Sequence, residues 1–235
     1  MSGAPRRAID RAEAALARID ALGRGHVAAA VLVGSAVLGD WREDRSDVDL
    51  LLVSGEGLTP GAREAWRQAA RLGGARTDLV IADPGDLSRA GYDLDLAIAL
   101  QTAGQCGHGL RGAPPPAPDR AWLSAILEDN LASYWRSWLA RAKGRSLGWP
   151  TGAMFTPFGA VWGLGGMARI RSTLADGRIV SKREAMNLAL ARLPAHRVIL
   201  EEAGRLRDGA APRLGRLERR RLALACADDL LARRW

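Results

Sequence analysis

The stretch "SDVDLLLV", residues 46 to 53, constrains this chain more than any other. A short apolar run closed by a turn is a strand buried on both faces. This one is entered through two aspartates a single residue apart, Asp47 and Asp49. Alternate residues of a strand share a face, so the two carboxylates project side by side while Val48 turns into the core. Like charges held that close repel each other, and a cation between them relieves the repulsion. Oxygen ligands favour Mg²⁺, which is commonly bound by one or two carboxylates plus substrate phosphates.

The strand needs partners, and two more are legible. "HVAAAVLVGS", residues 26 to 35, is a continuous apolar run ended by a glycine turn. "ARTDLVIADPGD", residues 75 to 86, is a third strand stopped by Asp-Pro-Gly. An amphipathic helix precedes the first strand, with Ile9, Ala12, Leu16 and Ile19 on one face. Another, "GAREAWRQAARLGG", separates the second and third and is closed by glycines. "YDLDLAIALQTAGQ", residues 92 to 105, is read as a helix, although its alternating start also suits a strand.

The character changes after "RGAPPPAPDR". Beyond it come a long tryptophan-rich amphipathic helix over 121–142, a glycine-containing helix over 155–177, and three further helices. The expected class is α+β: a mixed sheet with helices in residues 1–112, a proline-rich linker at 113–118, and an all-helical bundle in 119–235.

Chemistry concentrates in the first part. Gly34 lets backbone approach a phosphate, and Ser35 offers an amide and a hydroxyl. Ser46, which opens Ser-Asp-x-Asp, joins them as a nucleotide contact. Asp78 sits among apolar strand residues, where a carboxylate is costly unless paired or bound to metal. It is the candidate third metal ligand and the candidate base for an attacking hydroxyl.

"GSAVLGDWREDRSDVDLLLV" resembles the signature of the nucleotidyltransferase superfamily that includes polymerase-beta-like enzymes: Gly-Ser, a spacer, then Asp-x-Asp. Residues 168 to 203, "ARIRSTLADGRIVSKREAMNLALARLPAHRVILEEA", resemble the helical domain of aminoglycoside adenylyltransferases of the streptomycin/spectinomycin type. "DLAIALQTAGQCGHGLRG" is similar to the segment that joins the two domains there. The resemblance implies transfer of AMP from Mg-ATP to a hydroxyl of a small molecule, with an aminoglycoside as acceptor. Asp47, Asp49 and Asp78 are then the metal ligands, and Arg169 and Lys182 contact the ATP phosphates. The chain departs from the family where a third-strand glutamate serves as base, since Arg76 aligns there. It is also short between "VIADPGD" and "DLDLAIAL", and "TPFGAVWGLGGM" lacks the family's acidic and aromatic acceptor contacts.

The alternatives are a nucleotidyltransferase acting on a protein or nucleic acid, and a non-catalytic, antitoxin-like binding protein of the same fold. A formal net charge of +8 gives a polycationic acceptor no long-range attraction. The basic residues are scattered, except in "RLERRRLALA" near the C-terminus, which reads as a solvated helix face ahead of a nucleic-acid patch. Cys106 and Cys226 have no metal-ligand spacing. His26, His108 and His196 form no ligand motif. Trp122, Trp135 and Trp138 read as packing residues, Trp162 as a possible cleft residue, and Glu128 and Asp129 as a solvated face or as contacts to a cationic substrate. With no signal-like N-terminus and no membrane-length apolar run, a cytoplasmic protein is expected; the oligomeric state is open.

Overall fold

The computed structural model describes residues 4–74, 76–88, 93–144 and 148–233. The chain divides into two compact units, Met1–Asp119 and Arg120–Trp235.

The first unit runs α1 (Arg6–Asp20), β1 (Val27–Val33), β2 (Val48–Ser54), α2 (Pro60–Arg71), β3 (Thr77–Ala82), α3 (Pro84–Ser88), α4 (Leu94–Cys106) and β4 (His108–Arg111). The strands form one mixed sheet in the order β3-β2-β1-β4. β1 is antiparallel to both neighbours, and β2 and β3 are parallel. Every residue of "LLLV" is buried because both faces of the sheet are covered. Val48, Leu50 and Leu52 join Leu32, Leu79 and Ile81 against Leu16, Ile19 and Trp66 of α1 and α2. Leu51 and Val53 join Val31, Val33 and Ala82 against Leu96 and Leu100 of α4. Burying each leucine stabilises the fold by roughly 2 kcal/mol, which fixes the strand that carries the two aspartates.

The fourth strand is a correction to the sequence reading, which placed "HGLR" in the joining segment. Four residues with a central glycine show no alternation that could announce a strand. Pairing with β1 makes it one, and Arg111 secures it by donating to both carboxylate oxygens of Asp20, at 2.8 and 2.5 Å. The expected start of the preceding helix at Tyr92 lies outside the described residues.

Among its described residues, the second unit is helical throughout. α5 (Arg120–Asn130) continues through one wide turn, Leu131–Trp135, into α6 (Arg136–Ala142). The long helix expected over 121–142 is thus present, with one loosened turn inside it. α7 (Pro157–Asp176), α8 (Lys182–Arg192), α9 (Arg197–Arg207) and α10 (Arg216–Ala232) follow. α7 is the centre of the bundle and packs against α8, α9 and α10. The Thr156 hydroxyl caps it by accepting from Gly159 N, and Gly177 ends it in the left-handed conformation, φ +72°.

The α7 glycines explain the tryptophans. A Cβ at Gly163 would lie 2.9 Å from the Trp138 ring, and one at Gly166 would lie 2.5 Å from the Trp135 ring. The missing side chains are slots for indoles, so Trp135 and Trp138 are packing residues, both buried. Trp162 leans on them, with ring centroids 4.9 and 5.8 Å away.

The arginine run at the start of α10 is only in part the solvated face its composition suggested: Arg216 and Arg221 are exposed, whereas Arg219 and Arg220 turn inward. Arg219 is only 2% exposed, and its guanidinium donates to the carbonyls of Leu214 and Phe155. Arg220 donates to the carbonyls of Ala142 and Gly144 and lies 4.9 Å above the Phe155 ring. Meanwhile Leu217, in the same run, is 75% exposed. These arginines collect loop carbonyls, which removes them from any free basic patch.

Candidate active site

The site begins where β1 ends. Gly34 adopts φ +66°, opening a single helical turn, Gly34–Ala36. Positive φ favours glycine here, and space demands it. Val33 is paired with Asp49, and a Cβ on Gly34 would sit 1.9 Å from Asp49 Oδ2. Ser35 N donates to the same oxygen at 3.4 Å. The turn therefore cradles the carboxylate directly, a closer relation than the glycine-phosphate contact read from sequence.

The loop from this turn to β2 is pinned at several points. Asp40 N donates to Ser35 O at 3.0 Å, and Ser46 N to Arg42 O at 2.7 Å. The Ser46 hydroxyl accepts from Arg42 N at 2.9 Å, so this predicted nucleotide contact also shapes the loop. Trp41 Nε1 donates to Asp47 O at 3.2 Å, and the Arg11 guanidinium lies 5.4 Å above the Trp41 ring. Arg7 and Arg11 of α1 both bind the Glu43 carboxylate. Basic residues of the first helix thus anchor the loop that ends at Asp47.

β2 and β3 run parallel in a register that sets Asp49 beside Asp78. Neighbours in register point the same way, so Asp47, Asp49 and Asp78 share the sheet face that α4 covers further along. Asp78 is exposed, with Oδ1 accepting from Leu79 N at 3.1 Å. The expected three-carboxylate cluster is nevertheless not assembled: among the described residues, no three His, Cys, Asp or Glu side chains gather closely enough to hold a metal ion. Asp47 turns instead to Arg76, whose Nε lies 3.1 Å from Asp47 Oδ1.

Two carboxylates two residues apart at the entry to a rigid strand, one of them cradled by a glycine turn, still suit Mg²⁺. That ion takes one or two protein carboxylates and completes its shell with phosphates and water. Asp47 and Asp49 are the residues that would hold it.

Sequence reasoning missed Asp95. Asp93 caps α4, accepting from Leu96 N at 2.8 Å, and Asp95 lies in the first turn. Burial pushes the Asp95 carboxyl up, and the negative charges of Asp93 and Asp78 push it further. A fourth carboxylate therefore stands within electrostatic reach of Asp78. The acidic alternation of "YDLDLA" was the available signal.

In the second unit, Arg169 and Lys182 are close neighbours. Arg169 Nε donates to Val180 O at 3.1 Å, holding the segment that leads into α8. Ser181 caps that helix by accepting from Glu184 N, and Lys182 is its first residue. The Lys182 stem runs over α7, where a Cβ on Gly165 would lie 3.5 Å from its Cγ and Cδ. Gly165 and Arg169 are one helical turn apart, so both cations belong to one face of α7 and the N-terminus of α8. That is a suitable place for an anion. His196 is paired with Asp229 at 2.9 Å, and Cys226 is buried with its thiol pushed up to about 12.

Comparison with known proteins agrees with both halves. Residues 13–84 match the family "Nucleotidyltransferase domain", and residues 163–233 match "Aminoglycoside adenylyltransferase, C-terminal domain". The first match spans Gly34, Ser35, Ser46, Asp47, Asp49 and Asp78; the second spans Arg169 and Lys182. The fold is similar to that of a spectinomycin adenyltransferase, AAD(9), from Enterococcus faecialis, crystallised with ATP and spectinomycin. That likeness has a TM-score of 0.68 at 17% identity, and covers 97% of this chain and 99% of the other. No curated protein sequence matches the chain. With a nucleotidyltransferase domain followed by this C-terminal domain on the adenylyltransferase fold, the chain is an aminoglycoside adenylyltransferase-like protein and an enzyme of the nucleotidyl-transferring kind.

Proposed function

We propose that this enzyme transfers AMP from Mg-ATP to a hydroxyl of an aminoglycoside antibiotic, and so confers resistance inside the cytoplasm. The observation that carries the reading is the close approach of Gly34 to Asp49 within the segment that matches the nucleotidyltransferase domain. The AAD(9) structure, solved with ATP and spectinomycin, supports ATP as co-substrate and a small molecule as acceptor.

In this reading Asp47 and Asp49 hold Mg²⁺, which neutralises charge on the triphosphate. Ser35 and Ser46 hold phosphate oxygens in the first unit, and Arg169 and Lys182 are the phosphate-binding cations of the second. Asp78 takes the proton of the acceptor hydroxyl. The hydroxyl oxygen forms a bond to the α-phosphorus as the bond to the β-phosphate bridging oxygen breaks, and pyrophosphate leaves with that electron pair. The net positive charge need not bar a polycationic acceptor, because charges beyond about 8 Å are largely screened at physiological salt. Locally, Asp78, Asp93 and Asp95 supply negative charge.

The test is pyrophosphate release from ATP and Mg²⁺ across a panel of aminoglycosides. Release with streptomycin or spectinomycin is expected, falling at least about a hundredfold in Asp47→Asn. ATP binding without transfer to any member of the panel would remove the aminoglycoside from the assignment.

A further inference from the structure

The carboxylate edge of the sheet already holds a cation of its own. Val48 N donates to Arg76 O at 2.7 Å, and from Val48 and Thr77 onward the two strands run in parallel register. One step back, that register sets Arg76 beside Asp47 and on the same face as Asp49 and Asp78. Its Nε reaches Asp47 Oδ1 at 3.1 Å. The root of Arg76 is thus fixed by the backbone, whereas its side chain is 61% exposed and that of Asp47 is 51% exposed. An ion pair so open to water is easily exchanged.

A divalent cation on Asp47 and Asp49 would lie within a few ångströms of this guanidinium. Both draw on the same Asp47 carboxylate, and they repel each other. We propose that Arg76 is the resident counter-ion of Asp47, that a divalent metal must displace it, and that Arg76 thereby sets the metal affinity of the site. The displaced guanidinium is then available to an anion, and the nucleotide triphosphate is the anion that arrives with the metal. Free metal accordingly binds weakly, and metal and nucleotide enter together. This inference rests on the proposed metal site, and its test separates the two.

The experiment is titration of the free protein with Mn²⁺, counting unbound ion by its electron paramagnetic resonance signal, for wild type, Arg76→Gln and Asp47→Asn. Arg76→Gln is expected to bind Mn²⁺ about three- to tenfold more tightly than wild type, with the advantage shrinking in high salt. Asp47→Asn is expected to lose most of the binding. If Asp47→Asn loses binding while Arg76→Gln is unchanged or weaker, the counter-ion role is overturned and the metal site stands. If Asp47→Asn binds as wild type does, the metal site fails and the inference fails with it.

Discussion

Past the C-terminal end of β3, Asp83 and Asp86 are both engaged. Asp83 accepts from Leu58 N at 3.1 Å and from Arg63 at 2.5 Å, while Asp86 N donates to its other oxygen at 3.0 Å. Arg63 also binds Asp86 at 2.6 Å and donates to Ile81 O at 2.9 Å. Burial alone would raise the Asp83 carboxyl; the amides of Leu58 and Asp86 and the Arg63 guanidinium outweigh it and hold the group below the usual carboxylate range. At the N-terminal ends of β2 and β3, Asp47, Asp49 and Asp78 share a sheet face, Arg76 pairs with Asp47, and Asp95 lies within electrostatic reach of Asp78. There Asp95 is pushed up by burial and by its acidic neighbours. Among the described residues, the same residue type is held at one end of the strand pair by a largely buried arginine and at the other by an exposed one.

Substitutions can break this contrast. The largest stability effect is expected at the engaged end. Asp83→Ala leaves Arg63 and two amides without their acceptor, and should cost about 2–4 kcal/mol in denaturant unfolding. Activity per folded molecule should be preserved. A large loss of activity in protein that remains folded would show that the two ends are not functionally distinct.

Gly34→Ala should have an intermediate effect with a different signature. Positive φ and a Cβ 1.9 Å from Asp49 Oδ2 force the carboxylate to move. The cost should be roughly 1–2 kcal/mol in stability. Mn²⁺ binding should fall by more than the loss of folded protein explains, and equal losses would mean that the cradle serves the fold alone.

Asp95→Asn should have the smallest effect, in the stabilising direction. Because the folded carboxyl is raised, its ionised form is disfavoured in the native state. Wild type therefore loses stability as pH rises from the unfolded value, about 3.9, through the folded one. The asparagine variant should gain up to about 1 kcal/mol at neutral pH, since water screens this partly exposed side chain, and nothing below pH about 3.9. Thermal melts at the two pH values check this, and destabilisation at neutral pH would contradict the electrostatic account of the edge.

How much of this was legible depended on what each residue touches. β1, β2 and β3 could be read because continuous apolar runs have few other uses, and the Asp-x-Asp pair because strand alternation is a local rule. β4 could not, since four residues become a strand only by pairing with β1. Arg219 read as solvated because its run is polar; what buries it are the carbonyls of Leu214 and Phe155, which no periodicity reveals. The Arg76–Asp47 pair and the reach of Asp95 to Asp78 were hidden for the same reason. They depend on the parallel register of β2 with β3 and on where α4 begins, both tertiary facts. Arg76 stands out in the sequence as a departure from the family's glutamate, but its partner Asp47 does not.

The most direct test of the central claim is the mass of spectinomycin after incubation with the protein, ATP and Mg²⁺, for wild type and Asp49→Asn. Wild type is expected to add one adenylyl group to the drug, and the variant to fold but leave it unmodified. Adenylylation at an equal rate by Asp49→Asn would contradict the assignment of the acidic edge as the catalytic metal site.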